Sequence, residues 1–142
     1  MKTARVLLVD DEVDFTDTTK TLLENRGYDV TAVSSGDSAI RTLGQERYDV
    51  MVLDLKMPGR DGISTLKETK KLQLHTQILV LTGHGAINTA LEAMKLGAYD
   101  YLTKPCDIDE LTEKLEEAIK RGESDNKRPS LFGALTKGKR KR

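Results

Sequence analysis

Five polar residues stand where short apolar runs of this sequence stop. Asp10 and Asp11 follow Ala4–Val9 (ARVLLV), and Asp54 follows Asp49–Leu53 (DVMVL). Thr82 follows Gln77–Leu81 (QILVL), and Lys104 comes just after Tyr99–Leu102 (YDYL). Carboxylates gathered in one place repel, and each raises the others' pKa unless a cation intervenes. An all-oxygen donor set suits Mg²⁺, with Mn²⁺ as the alternative, better than zinc. Asp54 projects alone from an apolar run, between Leu53 and Leu55. If its carboxylate attacks a phosphoryl group, the product is an acyl phosphate. A metal would then neutralise charge on the phosphoryl oxygens. Lys104 could hold a second oxygen as a point charge and Thr82 could donate to a third. Gly83, directly after Thr82, leaves room for the incoming group.

These residues can meet only if the elements carrying them run in one direction. The five apolar runs, with Asp29–Val33 as the second, read as strands. The first, third and fourth are apolar nearly throughout, as in a parallel sheet covered on both faces. Helix-period segments lie between them. One extends from about Val13 to Arg26 with Gly27 as its stop, and one carries Ile40 and Leu43 and is opened by Ser35 or Asp37. Another carries Ile63 and Leu66, and another Ile87 to Met94 with Gly97 as its stop. The last carries Ile108, Leu111, Leu115, Ala118 and Ile119, with Asp107 and Glu110 resembling a capping box. Strand–helix repeated five times, with right-handed crossovers, predicts a doubly wound three-layer α/β domain. All five strand ends then share one edge, where such folds place ligands.

Composition narrows the classes. The chain has 142 residues, 37% hydrophobic and 32% charged, which fits one globular domain. Net charge is +0, so there is no bulk attraction to nucleic acid or anionic membrane. The distribution is uneven: residues 122–142 hold seven Lys/Arg against Glu123 and Asp125, net +5, leaving −5 on the rest. Cys106 is the single cysteine, which excludes an internal disulfide or a cysteine metal cluster and fits a reducing compartment. No apolar stretch approaches the ~20 residues of a membrane span, so a cytoplasmic protein is expected. Periodicity fails from about Gly122, which predicts a domain over residues 1–121 and a basic, disordered tail over 122–142.

The loop motifs LLVDDE, DLKMPGRDG (Asp54–Gly62), LTGHG (Leu81–Gly85) and GAYDYLTKP (Gly97–Pro105) resemble, in order and in position, those of the response regulator receiver family of two-component signalling. The resemblance covers residue 4 to about 121. It implies a flavodoxin-like, chemotaxis-regulator-like sheet of order 2-1-3-4-5 with five helices. It implies that Asp11 and Asp54 ligate Mg²⁺ directly, Asp10 mostly through water, and that the Lys56 carbonyl is a further ligand. Asp54 is then the phosphoacceptor, and Tyr101 is the aromatic that turns inward as Thr82 moves onto the phosphate. Implied partners are a sensor histidine kinase or phosphotransfer protein and an unidentified downstream protein. A phosphorylation-dependent homodimer is left open, and direct nucleic-acid or membrane binding by the domain is not expected. LTGHG is similar to receivers that precede ATP-driven, nitrogen-regulation-type activators. Cys106 stands where the family often has phenylalanine, which makes that contact smaller.

Each residue also has a plainer reading. Asp10-Asp11 could be a strand-ending turn, Asp54 a satisfied buried acid, and Lys104 a solvated side chain. The constellation outweighs these. His84 reads as an exposed loop residue, His75 has no role, and Cys106 reads as a half-buried filler. A haloacid-dehalogenase-type phosphatase should show D-x-D, but Leu55 and Lys56 follow Asp54. A flavin or nucleotide binder should offer donors to phosphate in its first loop, where Asp10, Asp11 and Glu12 stand instead. A phosphorylation-independent receiver would lack one of the key residues.

Overall fold

In the computed structural model, strands and helices alternate along the whole of the described chain, which comprises residues 3–56, 61–72, 75–83 and 86–127. The strands are β1 (Arg5–Val9), β2 (Asp29–Val33), β3 (Val50–Asp54), β4 (Gln77–Thr82) and β5 (Asp100–Thr103). The helices are α1 (Val13–Asn25), α2 (Gly36–Gln45), α3 (Gly62–Lys71), α4 (Ile87–Lys95) and α5 (Ile108–Lys127). All pairings are parallel, in the order β2-β1-β3-β4-β5. The doubly wound, flavodoxin-like sheet with five helices is therefore as expected.

Alternation along the strands divides the core in two. Leu7, Val9, Met51, Leu53, Ile78 and Val80 face α2, α3 and α4, meeting Ala39, Leu43, Leu66 and Ala93. Val6, Leu8, Val30, Val50, Val52, Leu79 and Leu81 face α1 and α5, meeting Leu23, Leu111, Leu115 and Ala118. Both faces of β1, β3 and β4 are buried, which explains their unbroken apolar runs.

Local chemistry sets the helix ends. Ser35, rather than Asp37, caps α2 by accepting from Ser38 N–H at 3.1 Å. Asp61 caps α3 through Ser64 N–H at 2.8 Å, and Asp107 caps α5 through Glu110 N–H at 2.8 Å. Gly97 ends α4 at φ +107°, in the left-handed region that favours glycine. α5 continues to Lys127, past the Arg121 boundary where apolar periodicity stops. Residues 128–142, the rest of the basic tail, lie outside the described residues. Among the described residues no helix is long and apolar enough to cross a membrane.

Candidate functional site

The parallel sheet delivers Asp10, Asp54, Thr82 and Lys104 to one edge, as their strand-end positions require. Register places Asp54 beside Leu81 and Thr82 beside Thr103. Lys104 N–H donates to the Thr82 carbonyl at 2.7 Å, tying the loop after β5 to the end of β4. The Lys104 side chain then reaches across the edge. Its Nζ lies 2.9 Å from Asp10 Oδ2, 2.5 Å from Glu12 Oε1 and 3.7 Å from Asp54 Oδ2. It also sits 4.6 Å from the centroid of the Phe15 ring.

Asp10, Asp54 and Thr82 are almost fully buried, at 1%, 4% and 3% exposure. Burial dominates the electrostatics of Asp54 and pushes its pKa up to about 6. The Lys56 N–H, donating to Asp54 Oδ1 at 3.1 Å, pulls the other way. The neighbouring Asp10 raises the pKa further and Lys104 lowers it. For Lys104, burial alone would favour the neutral amine. The hydrogen bonds to Glu12 and Asp10, with the charges of Asp54 and Asp10, outweigh it and hold the ammonium firmly protonated.

One cation thus faces three acids. Carboxylate oxygens of Asp10, Glu12 and Asp54 lie within 4.8 Å of one another, a hard, all-oxygen donor set of the kind Mg²⁺ takes. Among the described residues, that cluster includes Glu12 and not Asp11, which is exposed on the loop before α1. In the sequence Glu12 reads only as a charge that repels phosphate. The signal it offers is its place in a run of three successive acids. What selects Glu12 is the turn in which Asp10 Oδ1 accepts from Glu12 N–H at 3.0 Å.

Tyr101 is half-buried against the α2–α3–α4 core, on the side shared with Val80 of the adjacent strand, and alternation puts Thr82 on that side too. Cys106 is half-buried against the other core, with burial raising its thiol pKa. His75 is exposed. His84, Gly85 and the Met57–Arg60 part of DLKMPGRDG lie outside the described residues.

A five-stranded parallel sheet of this order, with two buried acids and a lysine at its carboxyl edge, defines a receiver-type α/β domain. The chain belongs to the response regulator receiver domain family, whose profile matches residues 6–116. It is 41% identical over 114 residues to the transcriptional regulatory protein ZraR of Salmonella typhimurium, covering 80% of this chain and 26% of ZraR. It is 39% identical over 118 residues to the transcriptional regulatory protein FixJ of Bradyrhizobium diazoefficiens, covering 83% of this chain and 58% of FixJ. The chain therefore spans about a quarter of one relative and less than two thirds of the other. The receiver domain of a putative LuxO repressor from Vibrio parahaemolyticus superposes with a TM-score of 0.83 at 28% identity, over 88% of this chain and 96% of that one. Receiver domains are phosphoacceptors of two-component signalling. They bind Mg²⁺ in an acidic pocket and interact with histidine kinases or phosphotransfer proteins and with downstream effectors.

Proposed function

We propose that this domain takes a phosphoryl group from a histidine kinase phosphohistidine onto Asp54, assisted by its own site residues. The observation that carries the reading is the buried Asp54 carboxylate with a lysine ammonium 3.7 Å away and a second buried acid beside it. With a pKa of about 6, Asp54 is largely ionised at neutral pH and can act as nucleophile. One of its oxygens forms the new P–O bond as the P–N bond to the donor histidine breaks, and the electron pair leaves on the imidazole nitrogen. Lys104 holds a phosphoryl oxygen, and the Thr82 hydroxyl donates to another.

The Asp10 and Asp54 carboxylates fit a divalent cation, Mg²⁺ or Mn²⁺, with Asp11 and the Lys56 carbonyl as the further ligands that the family resemblance implies. When bound, it neutralises charge on the transferring group. The same residues, with water in place of the donor, would support dephosphorylation. The signal then leaves through Thr82 and Tyr101 to the surface of α4, β5 and α5, and a downstream protein reads it there. The domain runs through the end of α5 at Lys127, and the tail beyond it is not needed for chemistry. We place the protein in the cytoplasm, and its output in gene regulation, as in the two relatives named transcriptional regulatory proteins.

The test is rapid phosphotransfer from a panel of autophosphorylated histidine kinases. One kinase should label the wild type within seconds in Mg²⁺ and should not label Asp54→Asn. Equal labelling of both would contradict the reading.

A further inference from the structure

Lys104 spends two of its three N–H donors on Asp10 at 2.9 Å and Glu12 at 2.5 Å. Asp54 Oδ2, at 3.7 Å, is within ion-pair range but beyond a hydrogen bond. The ammonium is thus drawn toward α1, over the Phe15 ring, and away from the proposed acceptor. Glu12 occupies the N-cap position of α1, yet its side chain accepts no capping hydrogen bond. The helix does not use that carboxylate. Glu12 is also 63% exposed at its side chain, while the side chain of Asp10 is 0% exposed.

We infer that Glu12 is a positioning residue that withholds Lys104 from Asp54 and releases it when a phosphoryl group arrives, and so sets how readily the site is occupied. The inference rests on Asp54 being the phosphoacceptor. The two acids on Lys104 differ in how they can be left. Asp10 is buried, so losing its cation would strand an uncompensated charge. Glu12 returns to water at little cost, because an exposed carboxylate loses only a screened interaction. Phosphoryl oxygens on Asp54 concentrate more negative charge than the carboxylate alone and can win the ammonium from Glu12.

The test titrates beryllofluoride, a phosphoryl mimic, at saturating Mg²⁺ into the wild type, Glu12→Gln and Glu12→Asp. Asp14→Asn serves as a control that removes the same charge from an exposed position in the first turn of α1. The Lys104 side-chain NMR signals are followed alongside. Glu12→Gln should bind about three- to fivefold tighter, from the usual strength of such pairs. Its ligand-free Lys104 signal should shift toward the position seen in the bound wild type. Glu12→Asp should fall between the two, and Asp14→Asn should match the wild type. Equal or weaker binding by Glu12→Gln, or equal tightening by Asp14→Asn, would overturn the inference alone. A wild type that does not bind the mimic would overturn the reading of Asp54 and this inference with it.

Discussion

Asp54 is held in the fold against its own preference for water, and that has a pH signature. Its pKa is about 6 in the folded protein and 3.8 as an unperturbed carboxyl. Between those values the folded state binds more protons than the unfolded state. Stability therefore falls as pH rises through that window and stays low above it. Asp54→Asn removes the cost. In metal-free buffer it should be more stable than the wild type at pH 7 by about 3 kcal/mol, and the gain should vanish at about pH 3, below the unperturbed value. Urea denaturation at the two pH values measures both. No gain at pH 7 would mean that the attraction of Lys104 cancels the burial penalty. Asp10, Asp54, Thr82 and Lys104 are legible in the sequence because each ends an apolar strand, and a parallel sheet collects strand ends. Glu12 is not, because a run of three acids does not say which one the next turn carries inward.

At the scale of elements, the close approach of the start of α3 to the end of β3 holds Asp54 in place. A Cβ on Gly62 would come 2.3 Å from Leu55 Cα and 2.9 Å from the Asp54 carbonyl oxygen. Both are backbone atoms, so the start of α3 or the end of β3 must move. Gly62→Ala should destabilise by about 2 kcal/mol or more, in the range of overpacked cores. It should also slow phosphorylation by a small phosphodonor. Asp61→Ala, which removes only the α3 cap, should cost about 1 kcal/mol and spare the rate. A Gly62→Ala rate equal to wild type would show that the strand exit tolerates the shift. Most elements can be read in advance from apolar period and caps, since those two features also hold them together. The end of α5 cannot. The apolar stripe ends near Arg121, but adding residues to an existing helix is cheap, and polar residues 122–127 extend it. Gly122 fits within the helix, with Gln77 Cγ 3.4 Å from where a Cβ would lie.

At the scale of the whole molecule, the proposed chemistry is gathered at one edge of the sheet. Every proposed site residue lies between Asp10 and Lys104, so deleting residues 128–142 should change the phosphorylation rate less than about twofold. Leu115→Ala, by contrast, empties a fully buried position of α5 and should cost about 2–5 kcal/mol. Strand order rests on the family resemblance, because periodicity marks strands without ranking them, and hydrogen bonding of β1 to both β2 and β3 bears that order out. If Tyr101 and Thr82 move together, beryllofluoride should shift amide resonances across residues 86–121, and Thr82→Ala should shrink those shifts. Silence there would confine the response to the loops around Asp54. All of this depends on where the phosphoryl group goes. Reacting the protein with a small phosphodonor and Mg²⁺, reducing the acyl phosphate with borohydride and mapping the product by mass spectrometry locates it. Modification at residue 54 alone is the predicted result. Modification of another aspartate in the wild type, or undiminished modification in Asp54→Asn, would contradict it.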